Sequence, residues 1–385
     1  MIFEKKKFID FIKLQRGYDL TKDEIVDGVY PIVSSTSIIG FHNEYKMEGP
    51  GVVTGRSGTI GQVQYVEGRY WPHNTTLFVK DFKGNYPKFV YYFMKNFGLE
   101  GVKGGSAVPT LNRNSLSNIE VNIPNLNLQK RIAGILSSYD NLIKNNEKQI
   151  KLLEEAAQRL YKEWFVDLRF PGHEKEEIVD GIPNGWSKVS ISSICNRLES
   201  GRRPKGGVDL SLKNGIPSIG AENVIGLGKY NFSSEKMISY DFFSKMKKGH
   251  ILNKDILIYK DGAYIGKTSL FQDNFPHKKV AVNEHVFLLH AIDEKVQYYV
   301  FFTLYQKEYF EIMQHLNKNA AQPGLNQNSI NSLEVLMPKL NLVYQFDSIV
   351  KNYVTKIFTL AKQNKKLIES RDRLLPKLMN GEIKV

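Results

Sequence analysis

Apolar residues recur at alternating steps of four and three along two stretches of the chain. Tyr139, Ile143, Asn146, Ile150, Leu153, Ala157, Leu160 and Trp164 form one series; Phe346, Val350, Tyr353, Ile357, Leu360, Asn364, Leu367 and Arg371 form the other. A 3.5-residue period is the pattern of helices that pack along a continuous seam. It predicts one helix from about Leu128 to Leu168, stopped by Pro171 and Gly172, and a second from about Leu342 to Leu375, closed by Pro376 and Gly381. The stretches before each helix carry short β-like runs at 63–66, 76–79, 256–259 and 286–289, punctuated by Gly, Asn and Pro. The predicted order is a mixed α/β domain, a long helix, a second α/β domain and a second long helix.

Three polar residues interrupt the seams, and an antiparallel pairing accommodates them. Asn146 then faces Asn364, Ile150 faces Leu360, Leu153 faces Ile357, Trp164 faces Phe346, and Tyr139 stacks against Arg371. Two buried amides that satisfy each other fix register at some cost in stability. The expected fold class is thus α/β (α+β), a tandem duplication whose helices form one antiparallel coiled coil with pseudo-twofold symmetry. A helix of about 35 residues spans roughly 50 Å, which would make the coiled coil a ruler. The competing arrangement packs each helix separately on its own α/β domain.

The duplication is legible directly. At an offset of 214, the segment 109–128 (PTLNRNSLSNIEVNIPNLNL) lies over 323–342 (PGLNQNSINSLEVLMPKLNL), with 11 of 20 positions identical and no gap. Weaker echoes precede it. Residues 29–32 (VYPI) resemble 215–218 (GIPS), and 53–61 (VTGRSGTIG) resemble 257–266 (LIYKDGAYIG) with one residue inserted. The shared parts read as scaffold and the divergent parts as surface.

Charge narrows the function. The 385 residues carry 53 Lys+Arg against 40 Asp+Glu, a net +13. Residues 1–172 contribute 23 and 18, and residues 173–385 contribute 30 and 22, so both copies are basic. A polyanionic partner such as nucleic acid fits that balance, because neutralising phosphates releases counterions. The single cysteine, Cys195, excludes an intramolecular disulfide and a multi-cysteine zinc cluster and suits a reducing cytoplasm. No apolar run approaches the roughly 18 residues of a membrane helix, and the N-terminal MIFEKKK does not read as a secretory signal.

Catalytic signatures are missing. There is no phosphate-binding GxxxxGK[ST] loop, no completed dinucleotide fingerprint after Gly226 and Gly228, no [DN]PP[YF] segment of an amino-methyltransferase, no GxSxG elbow and no HExxH helix. His285 and His290 bracket a β-like run at a spacing that points them to opposite faces, a poor metal geometry. No catalytic residue and no metal site is expected.

These features coincide in segments 107–112 (AVPTLN), 128–136 (LQKRIAGIL), 158–172 (QRLYKEWFVDLRFPG) and 374–383 (LLPKLMNGEI). With them the chain resembles the specificity subunit of type I restriction–modification systems over essentially its whole length. The resemblance implies target-recognition domains at 1–127 and 171–341, each reading half of an asymmetric bipartite double-stranded DNA sequence. It implies helical spacers at 128–170 and 342–385 that dock two modification (methyltransferase) subunits. A cytoplasmic, noncatalytic chain without its own cofactor follows, as part of an adenine-N6 DNA methyltransferase and ATP-dependent endonuclease. S-adenosylmethionine, ATP and Mg2+ would sit on partner subunits, which include a restriction (translocase/endonuclease) subunit. The second copy departs from the AVPTLN motif, reading AAQPGLN at 320–326, so its loop need not meet DNA as the first does.

Base readout needs Arg or Lys for guanine and Asn or Gln for adenine, placed in the divergent loops. The candidates in the first domain are Arg56, Ser57, Thr59, Trp71, His73, Asn74, Lys103, Ser106, Asn112 and Arg113. In the second they are Arg202, Arg203, Lys205, Lys260, Tyr264, Lys267, Lys278, Lys279, Asn319, Gln322 and Gln327. The plain alternative for each is a solvated charge or a turn-stabilising polar group, and for Trp71 a core residue. Two other functions compete: a coiled-coil scaffold that binds only proteins, and a stand-alone DNA-modifying enzyme with an unrecognised active site.

Overall fold

The computed structural model describes residues 3–57, 59–101, 110–212, 214–262, 264–318 and 324–385. It divides into two compact units, one of residues 1–143 and 366–385, the other of residues 144–365. Each unit therefore takes part of each long helix.

In the first unit, a four-stranded sheet has the order Lys13–Arg16, Thr76–Asp81, Gly51–Gly55, Val63–Val66, and a three-stranded sheet the order Ile38–His42, Tyr30–Val33, Trp71–Pro72. Phe3–Lys7 pairs antiparallel with Glu120–Pro124. The helix Pro87–Asn96 buries Phe89, Val90, Tyr92 and Met94 against the sheet, with proline in its first turn, where the missing N–H costs nothing. Ile132, Ala133 and Leu136 of one long helix and Leu375, Leu378 and Met379 of the other join the same core.

The second unit repeats this topology strand for strand. Its four-stranded sheet runs Cys195–Ser200, Val286–Ala291, Ile256–Tyr259, Thr268–Leu270, and its three-stranded sheet runs Met237–Ile238, Ile216–Ile219, Ala281–Val282. Register makes the match residue-specific. Thr54 pairs with Leu77 where Ile258 pairs with Phe287, and Ile32 pairs in parallel with Trp71 where Ser218 pairs with Ala281. Both weak sequence echoes, 29–32 with 215–218 and 53–61 with 257–266, are thereby aligned as the sequence suggested. The second unit adds the helix Lys307–Lys318.

The first long helix is α-helical over Leu126–Tyr161 and ends in a π-helical turn, Lys162–Val166. The expected uninterrupted helix to Leu168 is corrected here. Trp164 and Phe165 are both buried in this turn. Both rings meet Phe346, at 6.3 and 5.1 Å between centroids. The second long helix spans Leu340–Met379 and passes through Pro376, which was expected to close it. Proline forfeits its own N–H bond and its ring crowds the carbonyl one turn before, but its own carbonyl accepts from the Asn380 N–H at 2.9 Å and the last turn is kept.

Within the second unit, Asn146 Nδ2 donates to Asn364 Oδ1 at 2.8 Å, the facing pair predicted from the seam. Ile150, Leu360 and Ile357 are buried in the same cluster, with Leu153 packed against it. Within the first unit Arg371 does not stack on Tyr139. Its guanidinium donates to Asp140 Oδ1 at 2.6 Å, and the other oxygen of that carboxylate accepts the Tyr92 hydroxyl at 2.5 Å. A half-buried guanidinium gains more from a carboxylate's charge-assisted bonds than from a ring face.

Candidate nucleic-acid interface

At one end of the sheets in each unit the same backbone frame gathers several loops. In the first unit the Arg56 N–H donates to the Thr75 carbonyl at 2.9 Å, and the Leu111 N–H donates to the Arg56 carbonyl at 2.9 Å. The His73 N–H donates to the Val33 carbonyl at 2.9 Å. In the second unit the corresponding bonds run from Lys260 to His285 at 2.9 Å, Leu325 to Lys260 at 3.0 Å, and Asn283 to Ile219 at 3.0 Å. Three equivalent bonds hold equivalent loops, so Arg56 and Lys260 occupy one structural position, as do Ser57 and Asp261, and Thr75 and His285.

Several predicted residues come together in this frame. Arg56 and Ser57 follow the central strand, Thr59 is exposed in the same loop, and His73 lies where that loop meets the next strand, its Nδ1 3.2 Å from Thr75 Oγ1. The Asn74 amide donates to Asp19. In the second unit Lys260, Tyr264 and Lys267 share one loop, with the Lys267 ammonium 3.9 Å from the Tyr264 ring centroid. Arg203 reaches the same end, 2.7 Å from Glu284, while Arg202 lies over Phe242 and bonds the Lys245 carbonyl at 3.2 Å. Lys205 is exposed in the turn closed by the Gly207 N–H on the Pro204 carbonyl at 3.0 Å.

Other predicted residues serve different purposes. Trp71 is 6% exposed and packs with Leu20 and Ile32, so it belongs to the core. Asn112 caps the helix Arg113–Ser117 by accepting from the Asn114 N–H at 2.9 Å, and Asn326 caps Gln327–Asn331 likewise through the Ser329 N–H at 2.8 Å. The asparagine shared by the two motif copies is thus a helix N-cap, a use for which its short carbonyl is suited. Arg113 is exposed in the first turn of its helix, and Gln327 donates to the Leu198 carbonyl at 2.9 Å. Lys278 and Lys279 are exposed just before Ala281–Val282, at the end of that strand opposite to Asn283 and His285. Lys103, Ser106, Asn319 and Gln322 lie outside the described residues.

The structure adds residues that sequence reasoning passed over. Ser35, Thr36 and Ser37 form the turn after Tyr30–Val33, beside the Arg56 loop, where Gln64 Nε2 donates to the Ser34 carbonyl at 2.7 Å. In the second unit Glu222, Asp261 and His285 join Tyr259, Tyr264 and Lys267 around a cleft of about 640 Å3. Burial raises the Glu222 pKa, but the Lys236 ammonium at 2.8 Å outweighs that and holds the carboxyl below its ordinary value. His285 Nδ1 lies 3.1 Å from Asp261 Oδ2. A search for cations overlooked these acceptors; the offset between the loop echoes was the signal that would have paired Asp261 with Ser57. His290 instead meets Asp255, 2.9 Å away, so the two histidines bracketing that strand have separate partners. Among the described residues no three His, Cys, Asp or Glu side chains gather as a metal site, and no helix is long and apolar enough to cross a membrane.

Comparison with known proteins agrees with this arrangement. A family model described as the type I restriction modification DNA specificity domain matches residues 3–155 and 183–370. The chain is 28% identical over 310 residues to the MjaIX type I restriction enzyme specificity subunit of Methanocaldococcus jannaschii, covering 77% of this chain and 69% of that one. It is 23% identical over 404 residues to the MjaVIII specificity subunit of the same organism, covering 98% and 92%. Its fold is similar to the crystal structure of a type I restriction–modification S subunit from M. genitalium, with a TM-score of 0.63, 18% identity and coverage of 98% and 96%. With two matched copies of the domain, each built on the same loop frame, the chain belongs to the type I restriction modification DNA specificity family.

Proposed function

We propose that the chain is the sequence-recognition subunit of a type I restriction–modification complex, in which each unit reads one half of an asymmetric bipartite DNA target. The observation that carries this reading is the shared frame itself. Three equivalent backbone bonds fix Arg56 and Thr75 in one unit and Lys260 and His285 in the other, with Ser57 and Asp261 next along the chain. A constant scaffold with changed side chains is what two readers of different half-sites require, since specificity resides in the side chains that meet base edges. The chain is noncatalytic, as its family implies. The long helices are the proposed docking surface for two modification subunits and the element that sets the spacer. S-adenosylmethionine, and ATP with Mg2+, belong in this reading to modification and restriction partners in the cytoplasm.

Footprinting of the chain mixed with its modification subunit tests the proposal. Two protected segments separated by an unprotected spacer are expected. A continuous footprint, or none, would refute it.

A further inference from the structure

We infer that the paired positions Ser57/Asp261 and Thr75/His285 set the chemical difference between the two half-sites, with Asp261 accepting a hydrogen bond from the exocyclic amino group of an adenine or cytosine. This deepens the proposed function and rests on it. The two positions are fixed by the backbone, because residues 56 and 260 bond to 75 and 285 through the same N–H and carbonyl. On that frame the first unit presents two hydroxyls and the second a carboxylate and an imidazole.

The surroundings are adjusted to the larger acid. Ser57 bridges antiparallel to Thr110. At the matching place beside Asp261 stands Gly324, with φ +142°, where an added Cβ would lie 2.3 Å from Asp261 Oδ1. The small side chain is thus matched with threonine and the acid with glycine. His285 Nδ1 holds the other carboxylate oxygen at 3.1 Å, and the side chain keeps 28% exposure on the cleft it shares with Glu222, Tyr264 and Lys267.

The chemistry follows from that placement. A carboxylate at a DNA-facing surface is repelled by phosphates and so opposes binding to DNA in general. It becomes favourable where it meets a donor, and in the major groove the base donors are the adenine N6 and cytosine N4 amino groups. Guanine O6 and thymine O4 present acceptors at that position and are rejected. The hydroxyl of Ser57 can donate or accept, so the first unit lacks this filter.

The test uses the chain with its modification subunit and a DNA library randomised across both half-sites, with bound sequences counted. Asp261→Ala and Asp261→Ser should each lower the preference for adenine or cytosine at one position of one half-site by about tenfold, leave the other half-site unchanged, and tighten binding to non-target DNA. Which amino base is enriched by the unmutated complex identifies the donor. Ser57→Asp should move one position of the other half-site toward adenine or cytosine. Unchanged preferences in both Asp261 variants would overturn the inference, as would a uniform loss of affinity over all sequences, which a loop-propping residue would give. Absence of any bipartite selection by the unmutated complex would overturn the proposed function together with the inference.

Discussion

The side-chain amide of Asn146 donates to that of Asn364 across 2.8 Å, in a pair only 2% and 9% exposed and surrounded by Ile150, Leu360 and their neighbours. Gln363 Oε1 accepts a further bond from Asn146 at 3.1 Å. Replacing Asn146 by leucine takes this buried donor away from the Asn364 carbonyl, at a cost of about 1–3 kcal/mol. Asn146→Leu should therefore lower the unfolding midpoint in urea. The double replacement Asn146→Leu/Asn364→Leu should recover most of that loss, because an apolar pair suits the seam. A double variant as weak as the sum of its singles would show that the amides stabilise beyond satisfying each other.

The one cysteine makes a chemical prediction. Cys195 packs against the core of the second unit, and burial pushes its thiol up to about 12. Thiolate is the reactive form, so the folded chain should react with iodoacetamide far more slowly at pH 8 than the urea-unfolded chain. Intact mass after timed quenching measures the two rates, and comparable rates would contradict the packing.

Much of this was legible in the sequence for a physical reason. Seam residues such as Asn146 and Asn364 are fixed by helical periodicity alone, and the duplication by identity at constant offset. What escaped depended on geometry that periodicity does not encode. The π turn at Lys162–Val166 was invisible because Trp164 fits the regular seam. Asp140 was overlooked as the partner of Arg371 because it stands off the apolar seam. In the interface, Trp71 takes the core alternative that the sequence left open, and Asn112 caps a helix, which residue type alone does not reveal. Asp261 is not among the cations and amides sought as base readers, and its proposed role rests on its register with Ser57.

Acid should weaken the second unit through Glu235. Burial raises the pKa of this carboxyl, but bonds from His277 at 2.6 Å and Tyr230 at 2.9 Å outweigh it and leave the folded value below the ordinary 4.5. A depressed folded value means the ionised carboxylate stabilises the fold. That contribution is complete above the ordinary, unfolded-state value and disappears as pH falls through the lower folded one. Glu235→Gln should accordingly melt below the unmutated chain at pH 7, and the gap should close as the pH falls below 4.5. Differential scanning calorimetry across that range checks the sign; a gap that widens in acid would mean the pair opposes folding.

Cations at the loop frame and away from it should behave differently toward DNA. Lys260 stands at the loop frame, its ammonium 3.3 Å from the Glu284 carbonyl, 3.6 Å from Asp261 Oδ2 and 5.3 Å from the Phe287 ring centroid. Lys278 and Lys279 are exposed before Ala281, at the opposite end of the strand that leads to His285. A lysine that neutralises one phosphate contributes about one unit to the slope of log affinity against log salt. Lys260→Ala should then weaken binding by the complex to every sequence at 0.1 M salt and flatten that slope by about one. Arg56→Ala should do the same through the first unit, since it occupies the equivalent position. The double variant Lys278→Ala/Lys279→Ala should keep both affinity and slope, apart from a small loss of long-range attraction that vanishes as salt rises. Equal flattening by both sets of variants, measured by fluorescence anisotropy over a salt series, would place the DNA-facing surface away from the loop frame.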